Sequence, residues 1–342
     1  MGIKAPAVKG DQWFNTDPLN WEKLRGKVVL VDFWDYTCVN CLRTLPYLNE
    51  WYDRYSKYGL VIIGVHAPEF QFAHDPDEVR RAIERLGIQF PVVLDNNFAV
   101  WSAYANRYWP HKYLINKDGY QVYDHVGEGG YGEMESRIQQ LLKDLNPALD
   151  LPPIMEPVQE TGVPGAVCFP TTPELYCGYS RGRMGSSPAY ILDQPAEYKI
   201  PSELEDGLIY LQGQWTAAPE FVKHDRSTAD LEDYLAVKYH AAEVNLVMRP
   251  GREEKTSPQI VFVKQDDRFL TMDIAGEDIK FRPDGKSYVV VDQPRMYRIL
   301  KSKDFGEHTL CLFSKDAGVE MYAFTFGSCL MPDEVETANQ PR

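Results

Sequence analysis

The sequence predicts an α/β domain followed by an all-β, jelly-roll-like sandwich domain. Three observations carry that prediction. Residues 1–146 alternate between short apolar runs and stretches with helical spacing, the pattern of buried strands covered by helices. Residues 147–173 then collect Pro147, Pro152, Pro153, Pro157, Pro164, Pro170 and Pro173, which marks a linker or an extended segment wrapped on a surface. Residues 174–330 change to eight short strand-like runs separated by Pro, Gly, Asp and Asn turns, and 331–342 read as a C-terminal tail.

Within the first domain each element has its own signal. Val28, Val29, Leu30 and Val31 centre a strand at 27–34 that is apolar on both faces. Leu42, Leu45, Leu48, Tyr52 and Tyr55 recur at helical spacing, and a second buried strand follows at 60–65. A short helix is expected at 76–86, with Glu and Arg outward, and a third strand at 90–94. Runs at 112–115 and 121–126 flank Asn116-Lys117-Asp118-Gly119, whose Asp-Gly step signals a hairpin and an antiparallel edge. Met134, Ile138, Leu141, Leu142 and Leu145 mark a last helix, ending before Pro147. In the second domain strands are expected at 208–215, 234–248, 259–263, 269–274, 287–291, 296–300, 309–313 and 320–326.

Composition narrows the function. Among 342 residues, 36 Lys and Arg face 50 Asp and Glu, a formal net charge of −14 that argues against nucleic acid and against anionic membranes as partners. The apolar runs fall well short of the roughly 18 residues a membrane span needs. No basic and apolar leader marks a signal peptide at the N-terminus.

The chemistry concentrates at Cys38-Val39-Asn40-Cys41, where the first strand gives way to a helix. A dithiol at this junction presents its first sulfur to the positive end of the helix and lets the second close on it, which suits thiol-disulfide exchange. Leu42 rather than His follows Cys41, which excludes the covalent haem motif, and His66, His74 and His111 offer no zinc pair at suitable spacing. A peroxiredoxin would carry proline and threonine where this chain has Val31 and Asp35. A purely structural disulfide stays open as the alternative. Without a His between the cysteines, and with Asp35 near, Cys38 is expected nearer a pKa of about 7 than the value of about 3.5 of a strong oxidant.

Cys168, Cys177, Cys311 and Cys329 lie apart. They could form up to two disulfides in three connectivities, favouring an oxidising compartment, or stay buried as free thiols. In the second domain Tyr176, Tyr179, Tyr190, Tyr210, Trp215 and Tyr239 could stack on sugar rings or pack a core.

Three strings carry a resemblance: residues 33–48 around the cysteines, Gly64-Val65-His66-Ala67-Pro68-Glu69-Phe70, and Tyr108-Trp109-Pro110-His111-Lys112-Tyr113-Leu114-Ile115. The sequence resembles the thioredoxin superfamily, its TlpA-like branch, and most of all the soluble C-terminal part of DipZ-like thiol:disulfide interchange proteins of cytochrome c biogenesis. The likeness continues through Thr172-Pro173-Glu174-Leu175-Tyr176, Leu211-Gln212-Gly213-Gln214-Trp215 and Ala323-Phe324-Thr325-Phe326-Gly327. It implies a thioredoxin-like first domain and a second domain like a carbohydrate-binding module. It implies catalysis by Cys38 as attacking and Cys41 as resolving thiol, linked as a redox-active disulfide, with no cofactor and no metal. Asp32 would take the proton from Cys41, unless it is only a hydrogen-bonded strand residue. Glu69 would lie near the cysteines, unless it is merely solvated. Trp34, Trp109 and a cis Pro110 would form the substrate groove.

The expected setting is extracytoplasmic, in the periplasm or cell envelope. The expected partners are disulfide-containing proteins, a membrane electron donor of the CcdA/DsbD type and a glycan bound by the second domain. Family members commonly carry an N-terminal membrane electron-transfer region, which this sequence does not show. The competing reading is a glycan- or partner-binding protein on a redox-inert scaffold.

Overall fold

The computed structural model describes residues 2–10, 12–158, 167–251 and 258–330; the expected tail at 331–342 and part of the proline-rich stretch lie outside them. The chain divides into two units, Met1–Gly162 and Val163–Arg342.

The first unit runs β1 (Ile3–Lys4), β2 (Trp13–Phe14), α1 (Trp21–Leu24), β3 (Val28–Trp34), α2 (Val39–Tyr55), β4 (Leu60–His66), α3 (Pro76–Arg85), β5 (Val92–Leu94), α4 (Ala99–Ala103), β6 (His111–Ile115), β7 (Tyr120–Val126) and α5 (Tyr131–Leu145). The sheet order is β1-β7-β6-β3-β4-β5-β2, with β3, β4 and β5 parallel and β6 and β7 antiparallel to their neighbours. β3 is central and all seven of its residues are buried, which is why its sequence does not alternate. The β6–β7 hairpin closes as expected: Asn116 Oδ1 accepts from the N–H groups of Asp118 and Tyr120, and Gly119 takes φ +84°. Its strand β7 is not the edge, because the two-residue β1 covers it.

Strand pleating sorts this unit's interior. Val29, Val31 and Phe33 of β3 join Ile63, Val65, Val93, Tyr113 and Ile115 in a cluster under α1 and α4. Leu30, Asp32 and Trp34 point to the opposite face. There Asp32 stands in register with Gly64 and Lys112, and Trp34 with His66. Lys112 Nζ lies 6.0 Å from the ring of Tyr131 at the start of α5, and Tyr131 stacks on Tyr47 of α2 at 3.5 Å, so this is the face that α2 and α5 cover. Gly64 is needed under it: a Cβ there would stand 2.9 Å from Trp34 Nε1.

The proline-rich stretch, as far as 158, is pinned down rather than loose. Gln139 donates to Pro152 O, Arg54 to Pro153 O, Glu135 accepts from Met155 N–H and Tyr47 from Val158 N–H. Side chains of α2 and α5 thus satisfy a backbone that prolines keep out of any ladder.

The second unit is all β: β8 (Val167–Cys168), β9 (Leu175–Tyr176), β10 (Pro195–Tyr198), β11 (Ile209–Ala217), β12 (Val222–His224), β13 (Tyr234–Arg249), β14 (Gln259–Gln265), β15 (Arg268–Phe269), β16 (Ile279–Phe281), β17 (Ser287–Val291), β18 (Arg295–Ser314), β19 (Glu320–Gly327) and β20 (Cys329–Leu330). β8 and β20 form a separate two-stranded ribbon, and the others one antiparallel sheet. The first half of β13 pairs with β11 and the second half with β19, while β18 flanks both. Register breaks between Ala241 and Glu243, opposite a jump from Gly306 to Lys301 in β18. The long strands β13 and β18 shift register at such irregularities within this one sheet. Two expectations are corrected here. The strands expected at 296–300 and 309–313 are one strand, β18, and only Arg268–Phe269 of the run at 269–274 and its flank is extended.

Candidate active site

β3 ends at Trp34, and a short turn delivers Cys38 as the N-cap of α2. Cys38 Sγ accepts from Cys41 N–H at 3.2 Å, its carbonyl accepts from Leu42 N–H at 3.0 Å, and the first turn carries no acidic residue. A sulfur here sits among unsatisfied N–H groups, which favours its anionic form. Cys38 is partly exposed, whereas Cys41, one turn on, is 1% exposed. The two form a disulfide with Cα atoms 5.3 Å apart. Spacing along the helix therefore makes one sulfur reachable and hides its partner behind it.

The other expected residues converge on the same end of the sheet. β4 runs parallel to β3, so Ala67, Pro68 and Glu69 emerge beside the cysteine turn; β6 runs antiparallel, so Pro110, just before it, arrives there too. The Trp109-Pro110 bond is cis, and Pro110 O accepts from Gly127 N–H at 2.8 Å. Trp109 is partly exposed and donates from Nε1 to Ala67 O at 3.0 Å, tying the two loops together. Trp34 is corrected: expected in the groove, it is fully buried on the α2 face, edge-on to His66, where no substrate reaches it.

Asp32 lies fully buried on that face, and burial pushes its carboxyl up to about 7, against the opposing pull of Lys112. Its Oδ1 has no hydrogen-bond partner among the described residues. Lys112 is itself fully buried, its pKa lowered by the same desolvation, and its Nζ donates to Gly127 O at 2.9 Å. A charged residue inside a run otherwise read as buried strand was the available signal for it.

Asp35 is the residue whose role the sequence hid. It is fully buried, with Oδ1 accepting from Thr37 N–H at 2.7 Å and from Thr37 Oγ1 at 2.8 Å, and Oδ2 from Glu69 N–H at 2.6 Å. One carboxyl thus braces the turn before Cys38 to the loop that carries Glu69. Burial raises its pKa despite those bonds. His66 Nε2 stands 4.0 Å from Asp35 Oδ1, with its ring stacked on Tyr36 and its pKa driven down to about 3 by burial, so the imidazole is neutral.

Comparison with known proteins agrees with this geometry. The AhpC/TSA family model matches residues 1–123, and the model of the thioredoxin like C-terminal domain matches 172–327. Over 131 residues the chain is 31% identical to the thiol-disulfide oxidoreductase ResA of Halalkalibacterium halodurans, covering 38% of this chain and 69% of ResA. The chain belongs to the thioredoxin-like thiol-disulfide oxidoreductases. A further member, YkuV of Bacillus subtilis, is 26% identical over 140 residues, 41% of this chain and 94% of its own. Protein DipZ of Mycobacterium bovis is 33% identical over 329 residues, 94% of this chain, which spans only 43% of DipZ. The thioredoxin-like first unit and the large β second unit both fit the resemblance seen in the sequence.

Proposed function

We propose that this oxidoreductase reduces protein disulfides outside the cytoplasm, with Cys38 as nucleophile, Cys41 as resolving thiol and Asp32 as proton acceptor. One observation carries the reading: a partly exposed sulfur caps a helix directly over a buried one, on a sheet face holding a carboxyl that titrates near neutrality. The Cys38 thiolate attacks a substrate disulfide, forming a mixed disulfide and expelling one substrate thiolate. Cys41, its proton passing toward Asp32, then attacks Cys38 Sγ and releases the second substrate thiolate. Two electrons leave the dithiol and the Cys38–Cys41 bond forms. Glu69 and the Trp109–Pro110 loop flank this reaction, where the backbone of an extended substrate would lie.

The Cys168–Cys329 disulfide supports the extracytoplasmic setting, since such bonds persist where thiols are not kept reduced. A dithiol donor must reload the pair, and a membrane protein of the CcdA/DsbD type suits that role. A glycan ligand for the second unit finds little support in its aromatics. Trp215, Tyr210 and Tyr239 are buried, the Arg181 guanidinium covers the Tyr176 ring at 3.6 Å, and the hydroxyls of Tyr179 and Tyr190 are bonded to Asp193 and to Cys177 O.

Equilibration with glutathione redox buffers, read by mass spectrometry of the alkylated Cys38–Cys41 peptide, tests the direction of transfer. A potential near that of thioredoxin, about −270 mV, is expected; one near about −120 mV would mark an oxidase.

A further inference from the structure

Outside the cysteine turn the described residues hold one other disulfide, and its setting differs from that of a core cross-link. Cys168 and Cys329 face each other in β8 and β20, a ribbon apart from the main sheet. Neither belongs to the apolar cluster of the second unit, although Cys177 does. Cys168 is exposed and Cys329 partly so, and the neighbours Val167 and Phe169 are exposed by 39% and 37%. β8 pairs only with β20 among the described residues. The remaining thiols are unsuited to exchange: burial pushes Cys311 up to about 12 and Cys177 higher still.

We propose that Cys168–Cys329 is a second redox site, reduced by the Cys38–Cys41 pair of a second copy of this chain. This rests on the oxidoreductase reading above. The Cys38 thiolate attacks the Sγ of Cys168, the more exposed residue of the pair, forming a Cys38–Cys168 bond and expelling the Cys329 thiolate. Cys41 then attacks Cys38 Sγ, closing Cys38–Cys41 and freeing Cys168. Two electrons pass from one pair to the other, and the external dithiol that reloads Cys38–Cys41 supplies them. Exposed disulfides are the ones most open to such exchange, and opening this one unties strands 161 residues apart at the two ends of the second unit.

The test uses the full chain, purified without reductant. Cys41→Ser, able to attack but not to resolve, is held at pH 7, quenched with N-ethylmaleimide and digested without reduction. A Cys38–Cys168 linked peptide with alkylated Cys329 is expected. In parallel, one equivalent of dithiothreitol should open Cys168–Cys329 about tenfold or more faster in wild type than in Cys38→Ser or Cys38→Ala. Equal rates with no linked peptide, while wild type still reduces insulin, make the bond a structural cross-link only and overturn the inference alone. If wild type also fails to reduce insulin, the oxidoreductase reading falls with it.

Discussion

Replacing Cys38 with serine lowers insulin-disulfide reduction by about three orders of magnitude or more, because the reachable sulfur at the helix cap, the attacking nucleophile, is gone. The same change leaves the fold as stable as reduced wild type. Cys38 caps α2 by accepting from Cys41 N–H, and serine is a better N-cap than most residues, so the helix start is kept while the sulfur is lost. Turbidity of precipitating insulin reads the first effect and thermal denaturation the second. Equal, negligible rates in wild type and variant would instead favour the redox-inert scaffold, on which the cysteine is only a cap.

Asp32→Asn separates catalysis from stability in opposite directions. Removing the proton acceptor slows resolution of the mixed disulfide by about a hundredfold or more. In wild type that step weakens as pH falls through about 7, where Asp32 becomes protonated, and the variant loses this inflection. For stability the sign reverses. The folded pKa of about 7 lies above the unfolded value of about 3.9, so the folded state holds its proton more tightly. The penalty for burying this acid is absent below pH about 4 and complete above pH about 7. The neutral amide of Asp32→Asn carries no such penalty, so the variant gains stability relative to wild type as the pH rises from 4 to 8. Urea unfolding at both pH values checks this; a larger gain at pH 4 would contradict it.

Much of the first unit is legible because its parallel strands β3, β4 and β5 are buried and therefore read as runs of Val, Leu and Ile. Asn116 and Asp118-Gly119 announced their hairpin by turn chemistry that is purely local. β1 and β2 were not legible: two residues set no period, and only their pairing with β7 and β5 makes them strands. β18 was split because Lys301, Lys303, Asp304 and Glu307 look like a turn, whereas cross-strand partners hold it extended, Glu307 meeting Lys238 at 2.9 Å and His240 at 3.1 Å. At the site, Cys38 and Cys41 declared themselves by spacing. Trp34 lies beside the motif in sequence, but the pleat turns it inward under α2, and the role of Asp35 is not legible because its bonds reach Glu69, 34 residues away. The Cys168–Cys329 pairing spans 161 residues, a distance over which spacing fixes nothing.

The most direct measurement is of which thiol reacts first. Fully reduced protein is given substoichiometric iodoacetamide at pH 7 and the label is located by peptide mass spectrometry. The partly exposed sulfur at the helix cap should take it first, Cys38 over Cys41 by about tenfold or more. Equal labelling, or Cys41 ahead of Cys38, would contradict the account at its centre.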